Sequence, residues 1–145
     1  YISKNILLKY DLQSDLPVIQ IDRDLVSQSL INLVTNSSEA IGDNEGTITV
    51  KTGSMVCNRE YLSSCHIKGD HREGLSVYLE VKDTGCGIEE GNLNKIFDPF
   101  FSTKFTGRGL GLAALYGIMK SHKGTIKVES KAGKGTSIKI LFPVE

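Results

Sequence analysis

The sequence has no tryptophan, three prolines, two methionines and only three cysteines in 145 residues. Those cysteines, Cys57, Cys65 and Cys86, are odd in number and include no C-x-x-C pair. That argues against a disulfide framework and against a zinc knuckle, and it suits a reducing compartment. An excess of one charge is also missing. The 17 Lys and Arg balance the 17 Asp and Glu, so no global field points to nucleic acid or to an anionic membrane. No apolar run approaches a membrane span, and the first residues lack the basic-then-apolar order of a signal peptide. With 39% hydrophobic and 23% charged residues, the chain has the composition of a globular domain that needs no staples. The simplest reading is one cytoplasmic domain over residues 1–145, with no nucleic-acid partner.

Glycine, by contrast, is plentiful. Six of fifteen glycines (Gly85, Gly87, Gly91, Gly107, Gly109 and Gly111) fall in one short stretch. Glycine costs backbone entropy, so such a cluster suggests loops that need unusual dihedrals or a close backbone approach to a ligand.

Residues 5–12 read as a strand, and so do 18–21 after Pro17. Asp22 is a fitting N-cap for a helix in which Val26, Leu30, Leu33, Ser37, Ala40 and Ile41 recur at helical spacing, with Gly42 as the stop. Residues 46–51 alternate as a strand, and the polar stretch 58–74 reads as a surface excursion. Residues 76–83 alternate strictly, which puts Val77, Leu79, Val81 and Asp83 on one face. A carboxylate ending an apolar face is costly without a partner, so Asp83 is a candidate functional residue. Residues 89–97 suggest a short helix with Leu93, Ile96 and Phe97 inward. A second long helix over 110–122 ends at Gly124, and 125–130 with 136–142 form a hairpin. The fold class is α/β: a two-layer sandwich, with a mixed, mostly antiparallel sheet packed on about three helices.

Three constellations carry chemistry. Asn32 and Asn36 stand four apart on one face of the first helix. An Asn carbonyl is a neutral hard oxygen suited to Mg²⁺, although two solvated surface amides would look the same in sequence. Asp83-Thr84-Gly85-Cys86-Gly87 follows a strand. Its carboxylate can accept from the amino group of adenine and would repel the oxygen of guanine. The same Asp-Thr-Gly occurs in aspartic proteases, but those need two such aspartates, and the long helices do not suit their fold. The third is Phe97-Asp98-Pro99-Phe100-Phe101-Ser102-Thr103-Lys104, running into a Gly-x-Gly-x-Gly set (Gly107, Gly109, Gly111) that opens a helix. Helix N-termini favour phosphate, and Lys104 and Arg108 add cationic groups. The glycine spacing is neither a P-loop nor a dinucleotide fingerprint.

In that order, these motifs resemble the catalytic ATP-binding domain of sensor histidine kinases, in the superfamily (the Bergerat ATP-binding fold) that includes gyrase, Hsp90 and MutL. The resemblance runs from about Ile19 to Phe142, and the Phe-Asp-Pro-Phe-Phe element favours the kinase branch. It implies ATP and Mg²⁺ as cofactors, with Asn36 on the metal and Asn32 lining the same pocket, where hydrolytic relatives carry a general-base Glu. It implies Asp83 on adenine, with Gly85, Gly87 and Ile88 shaping the pocket and Thr136 beside the base. Thr103, Lys104, Gly107, Arg108, Gly109, Leu110 and Gly111 would line the phosphates, with Lys104 or Arg108 on the transferring γ-phosphoryl group. The domain would then phosphorylate a His on a helical dimerisation domain of the same or a partner chain, with a response regulator downstream. The isolated domain would be monomeric and its parent homodimeric, membrane-anchored or not.

Two departures stand out. Many family members carry a basic residue at the position of Glu39. None of His66, His71 and His122 has the setting of the acceptor histidine, so the phosphoacceptor domain is expected to lie outside residues 1–145. The rival readings are an ATPase or serine kinase of the same superfamily, and a degenerate module that binds no nucleotide.

Overall fold

The computed structural model describes residues 5–66, 72–93, 95–96 and 110–144. In chain order these form β1 (Ile6–Leu12), α1 (Arg23–Ile41), β2 (Gly46–Cys57), α2 (Arg59–Ser63), β3 (Gly74–Asp83), a 3-10 turn (Glu90–Asn92), α3 (Leu110–Ser121), β4 (Thr125–Lys131) and β5 (Gly135–Pro143). The sheet order is β1-β2-β3-β5-β4. Only β1 and β2 run parallel; the other neighbours are antiparallel.

Strand alternation sorts the sheet into two faces. Ile48, Val50, Val81, Ile138, Ile140, Phe142, Ile126 and Val128 form one, and they pack with Leu33 and Ile41 of α1 and Leu115 and Met119 of α3. Full burial of each such side chain contributes about 1.5–3 kcal/mol, so this face holds the two long helices. Asp22 caps α1 as its spacing indicates: its Oδ1 accepts from the N–H groups of Asp24 (3.0 Å) and Leu25 (3.2 Å). Gly42 closes the helix, donating its N–H to the Ser38 carbonyl at 3.0 Å. Among the described residues no helix is long and apolar enough to cross a membrane.

Four segments differ from expectation. Residues 18–21 are in neither helix nor strand. A strand needs a ladder partner, and no described strand pairs with them; Ile19 alone packs on the core, while Val18 is 88% exposed. β2 continues to Cys57 because β3 begins at Gly74 and pairs with it there. The excursion after β2 is partly anchored. Asn58 caps α2, and Cys65 is buried, like Cys57, Ser76, Thr125 and Leu141. Beyond β3, the described part of the expected helix is a 3-10 turn, with Ile96 buried and Leu93 packed on the core. Phe97 lies outside the described residues.

His122 ties α3 to α1. Its Nε2 accepts the Asp22 backbone N–H at 3.0 Å. The ring proton therefore sits on Nδ1, which donates to the Ile118 carbonyl at 2.8 Å, and the ring meets Phe142 edge-on. Replacing His122 with alanine removes both bonds and is expected to cost about 1–2 kcal/mol. Urea unfolding reads this as a lower midpoint at unchanged slope; an unmoved midpoint would deny the ring any clamping role.

Candidate functional site

The end of β3 delivers Asp83 to the helix-bearing side of the sheet, where it is only 5% exposed. Three donors meet its carboxylate: the Gly85 N–H at 2.8 Å, the Thr136 N–H at 3.3 Å, and the Ser37 hydroxyl from α1. Burial pushes its pKa up from the ordinary 3.8, and those hydrogen bonds oppose the rise without cancelling it. A carboxylate offers roughly four acceptor positions, so three donors leave room for another.

The loop after Asp83 is held on both sides. The Cys86 N–H donates to the Ala40 carbonyl at the end of α1, and the Cys86 carbonyl accepts from the Gly133 N–H in the β4–β5 turn. Gly85 lies so close to α1 that an added Cβ would sit 2.7 Å from the Ala40 carbonyl carbon. Gly87 has φ +72°, and a Cβ there would approach the Lys131 carbonyl oxygen to 2.2 Å. No L side chain fits either position without moving backbone.

On the hairpin, Ser130 organises the neighbouring polar groups. Its Oγ accepts the Ile88 N–H at 2.7 Å, donates to the Gly135 carbonyl at 3.0 Å, and lies 2.8 Å from the Thr136 Oγ1. With its one proton so used, Ser130 takes the proton of Thr136, and the lone pairs of Thr136 are left for other donors. A cleft of about 480 Å³ opens here, lined by Asp83, Ser130 and Thr136 together with Lys82, Lys131 and Lys134.

From α1 come Asn32 and Asn36, both half-buried. The Asn32 Oδ1 accepts from Gln28 Nε2 at 3.1 Å. Among the described residues the Asn36 Nδ2 is enclosed with no hydrogen-bond partner, which is costly for a buried amide. A half-turn of the amide would put its carbonyl oxygen in that place. Glu39 lies on the same helix, half-buried.

The structure thus gathers Asn36, Asp83, Gly85, Gly87, Ile88 and Thr136 around one corner, with Asn32 one helical turn away. Leu110 and Gly111 open α3, which packs against α1. Thr103, Lys104, Gly107, Arg108 and Gly109, with Phe100 and Phe101, lie outside the described residues. Ser37 and Ser130 complete the corner.

Residues 21–145 match the family described as histidine kinase-, DNA gyrase B- and HSP90-like ATPases. The chain belongs to this family. Within it, the relatives include sensor histidine kinases. The sensor histidine kinase ZraS of Escherichia coli (strain K12) is 37% identical over 142 residues, covering 98% of this chain and 26% of ZraS. This ATPase-family chain therefore spans about a quarter of the length of that relative. A nucleotide-free structure of the catalytic domain of histidine kinase ThkA superposes with a TM-score of 0.72 at 31% identity, covering 97% of this chain and 80% of that one. Full-length ShkA in complex with AMPPNP aligns with a TM-score of 0.71 at 25% identity, over 95% of this chain and 25% of ShkA. The chain is a histidine-kinase-type ATPase domain on a mixed five-stranded sheet.

Proposed function

We propose that the domain binds Mg-ATP at the corner formed by α1, the end of β3 and the start of β5. Within a longer cytoplasmic kinase, anchored to a membrane or free, it donates the γ-phosphoryl group to a histidine. That histidine belongs to a helical dimerisation domain of the same or a partner chain, and a response regulator acts downstream. The buried carboxylate of Asp83 carries this reading. It is fixed by Ser37, Gly85 and Thr136 and retains one acceptor position, which suits the exocyclic amino group of adenine and opposes the oxygen of guanine. Gly85 and Gly87 let the loop after Asp83 seat directly on α1 and on the β4–β5 hairpin, which shapes the pocket, while Ile88 packs beside the base and Thr136 offers a further acceptor. The AMPPNP complex of ShkA supports a triphosphate ligand for this fold.

Asn36 fits Mg²⁺ as a single neutral oxygen. Among the described residues no group of three His, Cys, Asp or Glu could hold a metal, so phosphate oxygens and water would complete the shell. The metal would neutralise charge on the phosphates. Asn32 lines the same helix face and cannot act as a general base, which favours transfer to histidine over transfer to water. Leu110 and Gly111 begin α3, and a helix start favours anions. Thr103, Lys104, Gly107, Arg108 and Gly109 are assigned to the phosphates, with Lys104 or Arg108 on the γ-phosphoryl group.

Calorimetric titration tests the reading. ATP with Mg²⁺ is expected to bind at least about tenfold more tightly than GTP, with negligible steady hydrolysis. Absence of ATP heat would leave an interaction module without nucleotide. Rapid turnover lost on mutating a nearby carboxylate would make it an ATPase instead.

A further inference from the structure

β1 is an edge strand, and its outer side pairs with no strand among the described residues. It is also unusually apolar for an edge: Leu7, Tyr10 and Leu12 are 56%, 64% and 59% exposed. Such an edge is a template for another strand. The Asn5 carbonyl accepts from Gly46 on β2. Alternation along the strand therefore turns the N–H and C=O groups of Leu8, Tyr10 and Leu12 outward, where they await a partner.

We propose that this edge pairs with the β1 edge of a second copy of the chain, antiparallel, about a two-fold axis at Tyr10. In that register Tyr10 faces Tyr10, Leu8 faces Leu12, and Lys9 faces Asp11 of the other copy, twice over by symmetry. The outward backbone groups of Leu8, Tyr10 and Leu12 then exchange hydrogen bonds. Lys9 and Asp11 occupy the intervening pairs, where opposed side chains are closer. Neighbouring registers lose this match. An axis at Lys9 or at Asp11 sets like charges against each other, and an axis at Leu8 pairs Lys9 with Leu7. Registers must shift in whole residues that keep each side chain on its face, so charge selects Tyr10. The two sheets would join into one continuous sheet. The monomer expected from sequence would then hold only in dilute solution, because a contact of one strand per copy belongs to the small, transient class of interfaces.

Sedimentation equilibrium of the 145-residue chain reads this directly, with mass rising from 15.8 kDa toward twice that value with concentration. Lys9→Asp or Asp11→Lys alone puts like charges opposite each other twice, which is expected to weaken association about tenfold or more. The double swap Lys9→Asp with Asp11→Lys restores it. Circular dichroism checks that each variant is folded. In a Cys86→Ser background, Tyr10→Cys should give a reducible dimer, since opposed Cα atoms about 5.5 Å apart suit a disulfide. Leu8→Cys should not, its symmetry mates being four residues apart along the ladder. If a single swap fails to fold, the cysteine pair decides the matter. A monomer at every concentration overturns the proposal. Equal association of wild type and all swaps also overturns it, leaving the edge to a different partner.

Discussion

Replacing Asp83 with asparagine is expected to weaken ATP binding by about ten- to a hundredfold and to erase most of the preference over GTP. Asparagine keeps one oxygen for the Gly85 and Thr136 N–H groups. Its other end becomes a donor, which opposes the adenine amino group and welcomes the guanine oxygen. The ionisation of Asp83 supplies a second readout. Burial holds its pKa above 3.8, so the folded state keeps this proton more tightly than the unfolded chain does. Its contribution to the stability of the nucleotide-free domain is therefore full below pH 3.8 and is lost as pH rises through the elevated value. A donor from adenine favours the charged carboxylate, so ATP binding expels the proton and affinity falls as pH drops into that same window. The Asp83→Asn protein should show neither dependence. Calorimetry with ATP and GTP across pH checks both, and an intact adenine preference in the variant would remove Asp83 from the base-binding role.

Asp83 was legible in sequence because parity along an alternating strand fixes which face a side chain takes, and a carboxylate on the apolar face demands an explanation. The same logic revealed α1, whose cap and stop lie within a turn of its apolar stripe. What stayed hidden depended on partners distant in the chain. Ser37 reads as a small residue in a buried stripe; only the approach of β3 turns its hydroxyl into a donor for Asp83. Ser130 is one more alternating strand residue until the hairpin folds back and the Ile88 N–H reaches it. Local pattern carries no trace of either contact. Residues 18–21 fail for the opposite reason. Their composition is that of a strand, but strand formation depends on a neighbouring ladder that this segment lacks. The phosphate-side motif was the most conspicuous in sequence, yet most of it lies outside the described residues.

Replacing Asn36 with alanine separates the metal from the base. The variant loses an amide whose nitrogen is enclosed without a partner among the described residues, so it relieves a buried polar group there. Stability should hold or rise slightly, and any loss of activity cannot be charged to unfolding. Phosphotransfer is expected to fall by about a hundredfold or more. Catalysis of such transfers rests on positioned charge around the phosphoryl group, and Asn36 is the metal ligand assigned here. Adenosine, which carries no phosphate, should bind within about twofold of wild type, because its contacts run through Asp83, Ile88 and Thr136 and cost nothing at α1. The assay pairs the domain with a His-bearing helical hairpin in trans and follows labelled γ-phosphate, alongside adenosine calorimetry with and without Mg²⁺. Full Mg²⁺-dependent transfer by the alanine variant would take the metal away from α1. Equal loss of adenosine binding would mean instead that Asn36 shapes the whole pocket rather than holding a cation.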